Sequence, residues 1–214
     1  MLKTVVGSFD TFEEASLVAR DLRAEGFLDS DISIVANNAK GELLKDTTAS
    51  TTERAADATS GAATGAVTGG AIGGVAGLAI SLMGLAIPGI GPIIAAGPIA
   101  AALAGAGAGA VAGGLIGGLT DLGVDKEDAQ YYAESVRRGG ALVTVRADET
   151  RADEASAVMR RHGAVDIESR VQQWKSTGWK GYDPEAQPFS YEDIERDRST
   201  YRGATTGSKA DLRR

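Results

Sequence analysis

The chain has 214 residues, a formal net charge of −7, a single histidine and no cysteine. Lack of cysteine excludes disulfides, thiolate zinc sites, iron–sulfur clusters and a cysteine nucleophile together, and the acidic balance argues against nucleic acid as a partner, because phosphate contacts need clustered Lys and Arg. The length allows one ordinary domain with a useful core plus an extra element; the opening residues lack the long apolar region and cleavage site of a secretory signal, so the cytoplasm is the expected compartment.

Residues 2–6 are a β-branched run that reads as a strand. Asp10 with Glu13 three positions on gives a capping-box-like helix start, Leu17, Val18 and Leu22 supply an apolar face, and Gly26 suits the left-handed position just past a helix end. A second strand over 32–35 completes a β-α-β unit within residues 1–36. Asp29 and Asp31, between the helix stop and that strand, read as turn residues rather than metal ligands. Residues 37–57 are polar and Thr-rich and read as a linker.

The run 58–120 contains no charged residue, and Gly61, Gly65, Gly69, Gly73 and Gly77 recur every fourth position, as do Gly105, Gly109, Gly113 and Gly117. A four-residue period lines up one side of an α-helix, where missing side chains let a second helix come to backbone contact. Each glycine inside a helix costs about 1 kcal/mol relative to alanine, so the register implies close packing that offsets the cost. These nine glycines are therefore the candidate helix-packing interface of a glycine-zipper hairpin, broken at Pro88-Gly89-Ile90-Gly91-Pro92 and restarted at Gly97-Pro98. A helix over 98–119 would be roughly 33 Å long at about 1.5 Å per residue, close to the hydrocarbon thickness of about 30 Å. A membrane hairpin opening to the cytoplasmic side is expected, with packing inside a soluble homo-oligomer as the alternative.

Residues 121–171 hold a helix and a second β-α-β unit. Acidic residues at 125–128, Arg137 and Arg138 in the last turn, and Gly139 beyond them fit the helix dipole and a glycine cap. A strand over 141–145, a helix over 151–161, Gly163 and a strand over 165–171 follow. Thr4-Val5 matches Thr144-Val145, and Glu14-Ala15-Ser16 matches Glu154-Ala155-Ser156, at one offset of 140 residues. Neither unit has a sheet of its own, so the expected fold is α+β: one four-stranded ferredoxin-like sheet with both helices on one face, interrupted by the insert.

Residues 172–214 are charged, contain Pro184 and Pro188, and read as a largely disordered tail with a short helix near 191–198. Trp174, Trp179 and Tyr182 there suit partner docking, a membrane interface or folding back on the domain. His162 precedes Gly163 at a helix end and reads as a capping residue. The alternating Gly-Ala run at 105–110 neither follows a strand nor precedes a suitably placed acid, and no Gly-Lys-Ser/Thr follows a glycine loop, so neither dinucleotide fingerprint nor P-loop is present. No catalytic, cofactor or metal site is expected.

The stretch 130–145, QYYAESVRRGGALVTV, with VVGSFD at 5–10 and MRRHGA at 159–164, resembles the bacterial general stress (heat-induced stress) protein domain family. The resemblance covers most of 1–171. It implies a non-enzymatic stress-response role without defined catalytic residues, and the glycine-zipper insert is similar to those of members described as probable membrane proteins. The expected function is a membrane-associated or self-assembling stress-response protein with a cytoplasmic α/β head; the alternative is a soluble regulatory module that binds a small ligand.

Overall fold

Strand β1, Leu2–Phe9, leads into helix α1, Phe12–Ala24, in a computed structural model that describes residues 2–43, 70–71, 81–87, 89–105 and 111–210. The cap of α1 is Thr11, one residue later than the sequence suggests: its Oγ1 accepts from the Glu14 N–H at 3.2 Å and its own N–H donates to Glu14 Oε2 at 3.2 Å. A hydroxyl followed by a glutamate three positions on satisfies two orphan donors reciprocally. Strand β2, Ile32–Asn37, follows a single 3₁₀ turn at Asp29–Asp31.

The charge-free run then departs from a helical hairpin. Strand β3 is Gly70–Ala71, β4 is Ser81–Ile87 and β5 is Gly91–Ala96; helices α2, Pro98–Gly105, and α3, Val111–Asp121, come after. The chain reverses at Gly89 and Ile90, within the expected break, but between strands. Ile93 and Ala95 face one core while Ile94 and Ala96 face the other, the period of two that a strand covered on both faces requires. Burying apolar side chains on both sides and satisfying the free edge of β2 outweighs what a Gly/Ala helix could gain.

Helix α4, Lys126–Arg137, strand β6, Ala141–Asp148, and helix α5, Ala152–Arg161, form where the sequence places them. The expected strand at 165–171 does not. Only Val165 pairs, its N–H donating to the Ser8 carbonyl at 2.7 Å; helix α6, Ile167–Ser176, then starts at an Asp166 cap that accepts from the Ser169 N–H at 3.2 Å. Ile167, Val171 and Trp174 repeat at i, i+4 and i+7, a helical spacing. The last element is α7, Tyr191–Ala210, much longer than the short helix expected and part of the packed structure, because Trp174 is 2% exposed and Ile194 3%.

The sheet is antiparallel throughout, in the order β1-β6-β2-β5-β4, with β3 paired outside β4 through Gly70–Leu82 and Ala71–Ser81. Val5 lies directly opposite Val145. An antiparallel pair in which residues of equal rank in a repeat face each other is what a local twofold demands, so the offset of 140 in the sequence becomes an axis between β1 and β6.

Helices cover both faces. On one, Val18 and Leu22 of α1 and Val158 and Met159 of α5 close over Phe9, Ile34, Val143 and Val145. On the other, Ile99 and Leu103 of α2, Leu115 and Leu119 of α3, and Ala133 and Val136 of α4 close over Val35, Ile93 and Leu142. The run 58–120 thus contributes to the domain core. Gly97 makes the corner from β5 into α2: it has φ +79°, and a Cβ there would collide with the Ile32 carbonyl oxygen.

Candidate functional site

The stretch 130–145 contains Arg137-Arg138-Gly139-Gly140, and the fold uses these residues to hold the C-terminal arm. Glu134, with 0% exposure, accepts from Arg137 Nη1 at 3.1 Å and from Arg138 Nε at 2.7 Å. Arg138 reaches on to Asp197 at 3.0 Å, and Arg137 Nη2 donates to the Gln187 carbonyl at 2.9 Å. Phe189 packs under both guanidiniums, at 4.6 Å from that of Arg137 and 5.2 Å from that of Arg138, while the latter also lies 4.9 Å from the Trp174 ring. Arg198 Nη2 donates to the carbonyls of Asp10 and Gly139, each at 2.7 Å, and Arg170 meets Asp10 at 2.8 Å. Gly139, at φ +93°, lies where a Cβ would strike Ile194. Burial pushes the Glu134 carboxyl up, against the opposing pull of the Arg137 and Arg138 charges.

Chemically this cluster is closed. Each guanidinium is engaged by carboxylates or carbonyls, so it fixes α7 and the 183–190 segment across the sheet end, where Gly89 and Gly91 approach Pro184 and Pro188.

A second cluster is open. Lys126, Glu127, Gln130 and Tyr131 of α4 face Lys175 of α6 and Trp179, Lys180 and Gly181 beyond it across a cleft of about 490 Å³. The Tyr131 and Trp179 rings stand 6.1 Å apart at 60°, and Trp174 backs Trp179 edge-on at 5.5 Å. Tyr131 donates its hydroxyl proton to Glu127, a bond that holds the phenol above its ordinary pKa. The Lys175 ammonium lies 5.9 Å from the Tyr131 ring. None of the three lysines forms an ion pair among the described residues, and the buried Trp179 indole N–H has no acceptor there.

The residues singled out in the sequence are scattered by the fold. Gly61, Gly65, Gly69, Gly73, Gly77 and Gly109 lie outside the described residues. Gly105 ends α2, while Gly113 and Gly117 lie on α3, a separate helix. A Cβ on Gly117 would meet nothing within 4 Å, whereas one on Gly114 would lie 3.0 Å from Leu103 and one on Gly118 3.9 Å from Ala102. Gly114 and Gly118 are thus two of the places where α3 comes close to α2. Among the described residues no helix is long and apolar enough to cross a membrane.

His162 caps α5 and ties it to α1 through Asp21 Oδ2, 2.7 Å from Nε2. Asp31 binds Arg146 at 2.7 Å and Asp29 pairs with Arg23, as turn residues serving the scaffold. Tyr132 packs against the second core, where burial pushes its hydroxyl up to about 12. Among the described residues no group of His, Asp and Glu could hold a metal ion. Sequence reasoning missed the lysines because they come from positions 126 and 175–180; the local signal was the alternation of Lys and Trp at Lys175, Trp179 and Lys180.

No family model, no curated protein and no solved structure matches the chain.

Proposed function

We propose that this chain is a non-enzymatic, self-associating module of a bacterial stress response, built on a ferredoxin-like pair of β-α units and joined to a second copy through the open edge of β1. The observation that carries the reading is the edge itself. β1 pairs with β6 along all eight of its residues, but among the described residues its other side makes only the bridge from Ser8 to Val165. The order β1-β6-β2 matches three strands of a ferredoxin-like sheet, and the missing fourth would occupy that edge. Because the Ser8 carbonyl points outward, the alternation of a strand turns the backbone groups of Leu2, Thr4 and Val6 outward as well. Such a row is a template for another strand, and Leu2 at its end is 68% exposed. The stress-response assignment rests on the motif at 130–145. Burial of Leu103, Leu115 and Leu119 against the sheet favours assembly over bilayer insertion for α2 and α3.

Sedimentation of the purified chain tests this. The wild type should be a dimer at micromolar concentration. Thr4→Pro, which removes an outward N–H, should be a monomer with an unchanged circular dichroism spectrum, at a stability cost of about 1 kcal/mol for the lost bond from Thr4 Oγ1 to the Leu122 carbonyl. Val5→Pro, whose N–H serves β6, should instead destabilise the fold. A monomeric wild type would refute the reading.

A further inference from the structure

We infer that the cleft between the start of α4 and the end of α6 is a binding site for a mononucleotide, with its phosphates on Lys126, Lys175 and Lys180 and its base against Trp179 and Tyr131. The protein carries a net charge of −7, yet three lysines converge on this cleft without a carboxylate partner among the described residues. Like charges gathered at one place repel, and an anion relieves them; a lysine ammonium is a point charge suited to phosphate.

The walls supply the second half of the recognition. The Trp179 and Tyr131 rings meet edge to face at 60° beside the cleft, and the buried Trp174 behind Trp179 fixes that wall before any ligand arrives. Base-on-aromatic stacking is tolerant of base identity because every base has a π-face. The Trp179 indole N–H, buried without an acceptor, is a donor waiting for a ligand oxygen. Glu127 and Gln130 offer acceptors for an exocyclic amine. At about 490 Å³ the cleft falls in the size range of small-molecule sites.

Isothermal titration calorimetry on the full chain with ATP, AMP, sodium tripolyphosphate and phosphatidylglycerol vesicles tests the inference. ATP should bind saturably, at least tenfold tighter than tripolyphosphate and tighter than AMP, with affinity falling as salt is raised. Lys175→Ala combined with Lys180→Ala should weaken ATP binding at least tenfold, and Trp179→Phe, which keeps a ring but loses the N–H, should weaken it severalfold, both with wild-type circular dichroism. The monomeric Thr4→Pro variant should bind ATP as the wild type does, which separates this site from the assembly reading. Absence of ATP binding at millimolar concentration would overturn the inference. So would ATP binding indifferent to the lysine pair, tripolyphosphate binding as tight as ATP, or vesicle binding through these lysines without nucleotide binding.

Discussion

The two repeats begin alike and end differently. From 2 to 37 the chain runs strand, helix, strand; from 141 to 176 it runs strand, helix, helix. In the first, residues 32–37 alternate between two cores and gain strand neighbours on both sides, β6 and β5. In the second, one backbone bridge at Val165 is all that remains of the pairing, and Ile167, Val171 and Trp174 take a helical spacing. A repeat preserves the topology of its halves only while the burial pattern of each element is kept. Once one strand gains an apolar stripe and a cap, a helix wins and an edge is left open.

The sharpest way to break this comparison is to remove what the altered element buries. Trp174→Ala should lower global stability by about 3–5 kcal/mol, as much as Leu22→Ala in the core under α1, measured by urea denaturation. A selective loss of α6 and α7 with an intact sheet, read by amide exchange, would show instead that the arm is an accessory.

Glu134→Gln probes how that arm is held. Because burial outweighs the pull of Arg137 and Arg138 on this carboxyl, removing its charge should stabilise the fold at pH 7 rather than weaken it. The dependence on pH carries a definite sign. Burial raises the carboxyl above its unfolded value, so its contribution is full below about pH 4.3 and is lost as the pH rises through the raised folded value. The stability of the wild type relative to Glu134→Gln should therefore decline as the pH rises above about 4.3, in denaturation series at matched salt.

Helix caps give the smallest expected effect and the closest comparison of the halves. Thr11→Ala at α1 and Asp166→Ala at α6 should each cost about 1 kcal/mol. If residues 165–171 had kept strand character, the second change would be silent in thermal melts.

Much of the first repeat was legible from its β-branched run, the helix-start pattern near residues 10–14 and Gly26, and the offset of 140 residues marked the strands of Val5 and Val145 as equivalents, though not as direct neighbours. Strand β5 was not legible: Ile93 and Ile94 are both buried, on opposite faces, so the run carries no contrast to reveal its period. The glycine register was ambiguous in a specific way. Gly113-Gly114 and Gly117-Gly118 are doublets, so a four-residue period exists in two phases that the sequence does not tell apart. The lysine cleft joins segments nearly fifty positions apart, which no local pattern announces.

The position of β6 between β1 and β2 has a consequence for biosynthesis. Both early strands depend on one made more than a hundred residues later, and at about 5–20 residues per second the nascent β1 waits about 7–28 s for Val145 to appear opposite Val5. Until then two apolar strands emerge from the ribosome without their shared neighbour. Closing so long a loop is slow, so the order of synthesis leaves the two strands exposed for longer the more slowly the chain is made.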